Sequence, residues 1–267
     1  MDPSQDSTPD SPPDSAHGLG VTTHDFGLRG PRGWVFRGVR LDAEPGSLIA
    51  VEGPSGSGRT CLLLALTGRM KPTEGVATVG GIELPRQMSA LRRVSALANV
   101  AGVTDLDPAL TVGEHLRERA LLQRRFEGPL RGLLRPRAER AGAARRRTES
   151  ALAAAGLDLD ALPKGARTAV RDLERLEALR LSIALALVGG PRLLAVDDTD
   201  LKLSDAERAE AHALLASVAA AGTTVVAVYA EAPEGAVTVS TRPAETGGIP
   251  DEDAKEAADA LAETGRA

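Results

Sequence analysis

The sequence predicts an α/β fold with a mostly parallel sheet, an antiparallel β part toward the N-terminus and a helical subdomain. Three observations predict it. A glycine-rich octapeptide, GPSGSGRT at 53–60, stands between an apolar strand-like run and a helix-like run. A second apolar run, PRLLAVDD at 191–198, ends in two carboxylates. Between them, residues 114 to about 182 have a mostly helical pattern.

Taken in order, residues 1–18 are acidic and rich in Pro and Ser, with nothing to bury, and read as a disordered tail. VFRGVRL from Val35 and SLIAVEG from Ser47 read as two strands joined by a turn at AEPG. RTCLLLALTGR reads as a helix stopping at Gly68, because glycine is the favoured residue just past a helix end. EGVATVGGIEL offers two short strands around Gly80 and Gly81, a hairpin signal. The helical stretch is interrupted near EGP (127–129) and LPKG (162–165). PRLLAVDD is a buried strand, DAERAEAHALLASVAAAG (205–222) an amphipathic helix, and TTVVAVYAE (223–231) another buried strand. Strand–loop–helix at one end and strand–helix–strand at the other require a largely parallel sheet. The division expected is a domain over 19–232, its helical subdomain over about 100–182, and an extension over 233–267 made of a strand and an acidic tail.

Bulk properties narrow the function classes. The 267 residues carry 42% apolar and 26% charged side chains, the balance of an ordinary soluble domain. Aromatics are only 2%, so the core must be built from Leu, Val, Ala and Ile. A net charge of −5 argues against nucleic acid as the main partner, whose usual sign is a basic footprint. CLLLAL and IALALV, the longest apolar runs, fall far short of the roughly 20 residues of a membrane span. The N-terminal residues lack a signal peptide's basic and apolar regions, and Cys61 is the only cysteine. A cytoplasmic chain is the expectation.

The octapeptide fits G-x-x-x-x-G-K-[ST], with Gly53, Gly58 and Thr60 in place and Arg59 where Lys is usual. The intervening residues are Pro54, Ser55, Gly56 and Ser57. With a strand running in and a helix running out, loop and helix N–H groups can converge on phosphate oxygens. Thr60 stands where a hydroxyl ligates Mg²⁺. A tight turn without ligand is the alternative. Arg59 keeps the charge but presents a wider planar fork than Lys. Only four lysines stand against 28 arginines, so a general drift toward Arg is one bland origin of the replacement.

GSLIAVEGPSGSGRTCLLLALTGRMKPTEGVATVGG resembles the first half of an ATP-binding cassette (ABC) nucleotide-binding domain. ALTVGEHL (109–116) resembles the segment that opens that family's helical subdomain, and IALALVGGPRLLAVDDTDLKLSDAER with AAGTTVVAVYAE resembles its C-terminal half. The resemblance covers about residues 33–231 and implies a P-loop NTPase-type fold that binds ATP and Mg²⁺. It also implies a membrane-embedded permease as partner and a second nucleotide-binding subunit, identical or not. Asp197 would hold Mg²⁺, Asp198 takes the place of the catalytic Glu, and Asn99 falls closest to the Mg²⁺-sensing Gln. For the two aspartates, capping of the next turn is the alternative; for Asn99, a plain loop residue.

Several positions depart from the family pattern. Asp198 is one methylene shorter than Glu, which compromises its reach to an attacking water. The signature Leu-Ser-Gly-Gly-Gln falls on LERLE, Leu173–Glu177, where Glu174, Arg175 and Leu176 replace Ser and the two glycines. Here a continuous amphipathic helix RDLERLEALRLSIALAL accounts for the sequence better than a phosphate contact. Ala230 replaces the γ-phosphate His, with Tyr229 beside it not an equivalent donor, and LKLS (201–204) replaces SGLD, ending on Ser204. Phe26, Trp34 and Phe36 are candidates for stacking on adenine, with a core role as the alternative. The Arg-rich segment 124–147 is interleaved with Glu127, Glu139 and Glu149 and reads as a solvated or docking face, with one aromatic, Phe126, for base stacking. The four histidines have no metal-ligand spacing. ATP binding with weak or absent hydrolysis is the expected activity; a regulatory or scaffold protein is the alternative.

Overall fold

Nine strands in two sheets make up the β structure of the described residues, 18–126 and 137–241 of the computed structural model. The first sheet is antiparallel. β1 (Val21–Gly30) and β2 (Gly33–Ala43) pair across a two-residue turn, β4 (Glu74–Val79) pairs with the other side of β1, and β5 (Ile82–Leu84) follows β4. Gly80 and Gly81 both have positive φ, 55° and 79°, which the β4–β5 turn demands and only glycine adopts freely. β1 is absent from the reading of the sequence. Its register shifts three times against β2, and Asp25 sits at φ 47°, so the period-two pattern is broken.

The second sheet is parallel throughout, in the order β6-β7-β8-β3-β9. It comprises β3 (Leu48–Glu52), β6 (Ser95–Ala98), β7 (Leu193–Val196), β8 (Thr224–Val228) and β9 (Val237–Ser240). β7 and β8 are buried along their whole length, as a parallel sheet covered on both faces requires. Along β3 successive side chains part: Ile49 and Val51 join one core with Phe26, Leu62 and Leu66, while Ala50 joins a second with Leu179, Ile183 and Leu215. The turn after β2 therefore carries the chain from one sheet into the other. The fold is the expected α/β arrangement, with a parallel sheet and an antiparallel N-terminal part.

Six α-helices are present among the described residues: α1 (Arg59–Leu66), α2 (Met88–Val94), α3 (Val112–Phe126), α4 (Arg137–Ala154), α5 (Arg175–Leu187) and α6 (Asp205–Ala220). Gly68, at φ 71°, follows the end of α1. α6 is amphipathic, burying Ala211, Leu215, Val218 and Ala219, and starts at a capping box of Ser204 and Glu207. The helix expected from Arg171 is corrected on two counts. Residues 170–172 form a single 3₁₀ turn, Leu173 is extended and α5 begins at Arg175. Nor is α5 amphipathic: Leu176, Leu179, Leu181, Ser182, Ile183, Ala184 and Ala186 are all buried, because the helix runs between the sheet and its neighbours. The interruption at 127–129 and the flanking part of the Arg-rich segment, like the N-terminal tail 1–17 and the acidic tail 242–267, lie outside the described residues.

Candidate functional site

Gly53 leaves the end of β3 at φ 148°, and Gly56 and Gly58 turn the chain at φ 80° and 86°. The Ser57 amide closes the turn on the Pro54 carbonyl at 3.1 Å. Gly58 is the N-cap of α1; no side chain caps this helix and its first turn holds no acidic residue. A Cβ on Gly58 would lie 2.4 Å from the Val35 carbonyl, so only glycine lets the loop rest on β2. Pro54, Ser55 and Gly56 are exposed, while Gly53, Ser57, Gly58, Arg59 and Thr60 are half-buried. The start of α1 thus has no side-chain cap and no first-turn acidic residue of its own to complement its amides and the positive end of its dipole, which is the local chemistry of an anion site.

Thr60 joins this loop to β7. Its Oγ1 donates to Asp197 Oδ2 at 2.5 Å. Asp197 is 4% exposed, and burial pushes its carboxyl above the usual range, against the Thr60 hydrogen bond, with the neighbouring Asp198 adding to the rise and Arg59 opposing it. A cation beside Thr60 and Asp197 would relieve that burial. Among the described residues no group of three or more His, Cys, Asp or Glu could hold a metal. One hydroxyl and one carboxylate nevertheless suit Mg²⁺, which keeps most of its positions for water and phosphate oxygens.

Asp198 adopts φ 47°, a left-handed conformation uncommon outside glycine that Asp and Asn enter more readily than most residues. Its amide donates to Asp197 Oδ1 at 3.0 Å. Asn99, at φ 55°, stands at the end of β6 beside the pair. Its Nδ2 donates to the carbonyl oxygens of Asp197 at 2.8 Å and Asp198 at 3.4 Å, and its backbone amide donates to Ser182 Oγ of α5 at 2.7 Å. Thr60, Asp197, Asp198 and Asn99 are therefore one constellation assembled from three places in the fold, the start of α1 and the ends of β6 and β7.

The LERLE positions form the start of α5. Glu174 is the N-cap, and with Glu177 it makes a reciprocal capping box in which the Glu174 amide donates to Glu177 Oε2 at 2.9 Å. Arg175 turns to the loop after β7, donating from Nε to the Leu201 carbonyl at 3.2 Å. At position 230, the Ala230 amide donates to Asp200 Oδ2 at 2.7 Å, and Asp200 Oδ1 meets His212 Nε2 at 2.7 Å. Tyr229 is fully buried, edge-on to His212 with centroids 4.7 Å apart; burial, then Asp200, push its phenol further upward. Asp200 and His212 were invisible in the sequence, since nothing in their spacing foretells that α6 turns His212 back onto the β7 loop. Phe26 and Phe36 pack together in the core with ring centroids 5.9 Å apart, so both take the core role. Trp34 is 41% exposed, flanked by the Arg29 and Arg37 guanidinium groups over its ring.

The chain is similar in sequence to several ATP-binding proteins. It is 39% identical over 93 residues to the cytochrome c biogenesis ATP-binding export protein CcmA of Pseudomonas putida, covering 34% of this chain and 43% of that protein. It is 30% identical over 186 residues to the phosphate import ATP-binding protein PstB 2 of Natronomonas pharaonis, 68% of this chain and 60% of the other. Against the ABC transporter A family member 10 of Arabidopsis thaliana the match is 29% over 174 residues and spans 17% of that longer protein. These matches each span less than two thirds of the relative's length. Among solved structures, a dimeric ATP-binding cassette in a post-hydrolysis state bound to ADP and Pi superposes with a TM-score of 0.60 at 23% identity, over 79% of this chain and 88% of that one. That likeness is one of fold. The family model described as ABC transporter matches residues 36–200, from β2 through the carboxylate pair, and the chain belongs to that family as an ABC nucleotide-binding domain.

Proposed function

We propose that this chain is the ATP-binding subunit of an ABC-type transporter, holding Mg-ATP on the loop Gly53–Thr60 with weak or absent intrinsic hydrolysis. The observation that carries the reading is the Thr60–Asp197 contact at the foot of a helix whose N-terminus has no cap of its own. The loop N–H groups and Arg59 would bind the polyphosphate, and Thr60 and Asp197 would hold Mg²⁺. When bound, Mg²⁺ supplies charge neutralisation at the transferring phosphoryl group. Asn99 holds the backbone of Asp197 and Asp198 in place. Asp198 would take a proton from water across a longer gap than Glu. The Ala230 side chain donates nothing, and its amide is spent on Asp200. Glu174 and Glu177 cap the start of α5, and in this reading their carboxylates would oppose the approach of an opposite subunit's γ-phosphate.

Residues 19–232 form the nucleotide-binding domain in this reading, with a helical subdomain over about 100–182 and an extension over 233–267. No helix among the described residues is long and apolar enough to cross a membrane. The chain would work at the cytoplasmic face through a membrane-embedded permease and pair with a second nucleotide-binding subunit. Trp34, the exposed member of the three aromatic candidates, would meet the base. The self-capped start of α5 also favours a second reading, a regulatory ABC-like protein that binds ATP without driving transport. Calorimetric titration with Mg-ATP tests the shared core of both. Saturable, Mg²⁺-dependent binding is expected, and its absence would overturn them. Co-purification with a multi-spanning membrane protein encoded beside it separates transport from regulation.

A further inference from the structure

The phosphate loop is fastened by a residue 184 positions further along the chain. Thr241 follows β9, whose parallel pairing with β3 ends at Glu52↔Ser240. Its amide donates to the Glu52 carbonyl at 3.0 Å, extending that pairing to the mouth of the loop. Its Oγ1 lies 2.5 Å from Ser57 Oγ and 3.1 Å from the Glu52 carbonyl oxygen. Proton counting orients the chain of bonds. A carbonyl only accepts, so Thr241 gives its one hydroxyl proton to Glu52 and must accept from Ser57. Thr241 is 3% exposed, so neither bond is exchanged for water at little cost. Gly53 completes the fit: a Cβ there would fall 2.3 Å from Thr241 Oγ1 and 2.6 Å from Ser57 Oγ. Glycine at 53 thus leaves the gap through which the Thr241 hydroxyl reaches the loop.

We infer that Thr241 is a positioning residue of the phosphate loop, acting through Ser57 and the Glu52 carbonyl to hold residues 53–57 in the curve an anion needs. It touches no ligand itself. Preorganisation is its contribution: without the hydroxyl, the loop must be ordered by the ligand. A second consequence is that the end of β9 is mechanically tied to the loop. The affinity part of this inference rests on the proposed nucleotide site; the fastening itself does not.

The test uses the full chain with Thr241→Val, which keeps shape and burial, and Thr241→Ser, which keeps the hydroxyl. Amide hydrogen exchange at Gly53 and Ser57 is measured without nucleotide, and Mg-ATP affinity by calorimetry. Thr241→Val is expected to speed exchange at both amides and to weaken Mg-ATP by roughly two- to tenfold, and Thr241→Ser to restore both. The exchange effect should shrink, without vanishing, when Thr241→Val is made on a Ser57→Ala background, because the Ser57 partner is already gone and only the Glu52 contact is left to lose. Unchanged exchange in Thr241→Val, or failure of serine to rescue, overturns the inference. If the Val variant does not fold, Ser57→Ala against Thr241→Ser decides: faster loop exchange in the first alone upholds the fastening, and equal exchange in both overturns it. A parent chain that binds no Mg-ATP defeats the nucleotide reading, and the exchange measurement then decides the role of Thr241 by itself.

Discussion

Two helix starts in this molecule have the same dipole and opposite chemistry. α1 opens after a glycine, with no side-chain cap and no carboxylate in its first turn, its amides turned to an exposed loop. α5 opens on Glu174 and Glu177, which satisfy its end from within, while Arg175 is drawn aside to the Leu201 carbonyl. An uncapped helix start seeks an anion from solution; a helix that supplies its own carboxylates needs none. In the ABC pattern both ends would face phosphate, one from each subunit. Here one is open and the other is closed by residues of the same chain, so that in the proposed reading the two halves of the family's composite site would be unequal.

The largest effect that sharpens this contrast is on turnover. Phosphate release from Mg-ATP by the purified chain is expected near background, since each missing transition-state contact can cost roughly 2.7–4 kcal/mol, about 10²–10³ in rate. Asp198→Glu combined with Ala230→His should recover little, because Glu174 still closes the start of α5. A partner subunit with an intact Leu-Ser-Gly-Gly-Gln segment should help more. Robust turnover by the parent, abolished in Asp198→Asn, would break the contrast.

Next comes the open end itself. Arg59→Ala should weaken Mg-ATP binding by roughly 1.5–3 kcal/mol, the worth of a charge-assisted hydrogen bond, and Arg59→Lys should preserve or tighten it. Titration of the three proteins side by side checks this, and equal affinity of Ala and parent would remove Arg59 from the site. A smaller effect is expected at the closed end. Glu174→Ala should lower unfolding stability by about 1 kcal/mol or less, the usual worth of a cap, without weakening Mg-ATP at the chain's own loop. A drop in affinity as large as that of Arg59→Ala would mean that the two ends are not independent.

The smallest effect concerns α6, closed like α5. Hydrogen bonds from the Ser204 hydroxyl and the Ser204 amide hold the Glu207 carboxyl below its ordinary range. A carboxyl depressed in the folded state stabilises it above the unfolded pKa, and that contribution disappears as pH falls through the folded value. The stability gap between parent and Glu207→Gln should therefore be present near neutral pH and narrow on acidification below about pH 4. Chemical denaturation of both proteins across that range measures it; a gap independent of pH would show that the carboxylate charge plays no part.

The sites legible in the sequence were those whose parts are adjacent in the chain. GPSGSGRT between two apolar runs, and LLAVDD at a strand end, each carry the loop or carboxylate chemistry within one segment, and the structure brings them together through Thr60 and Asp197. The capping box before α6 was equally local, Ser204 standing three residues before Glu207. β6 was not legible, because four buried residues, Ser95–Ala98, show no alternation when both faces are covered. β1 was hidden by its bulges, and the start of α5 was misplaced because Arg171 and Asp172 suit a helix as well as a turn.

By itself the sequence determined the order of strand, loop and helix, the glycine-rich loop at 53–60 where anion binding is proposed, and which residues stand at 198, 230 and 174–176. These depend on residue type and short-range spacing, which the chain states directly. Only the tertiary structure decided that Thr241 fastens Ser57, that Asp200 joins His212 to the Ala230 amide, and that Arg175 reaches Leu201. Such contacts join residues 12 to 184 positions apart. A single hydroxyl or carboxylate has no periodicity to betray its partner; the parallel sheet selects it by setting the ends of β3, β7, β8 and β9 side by side.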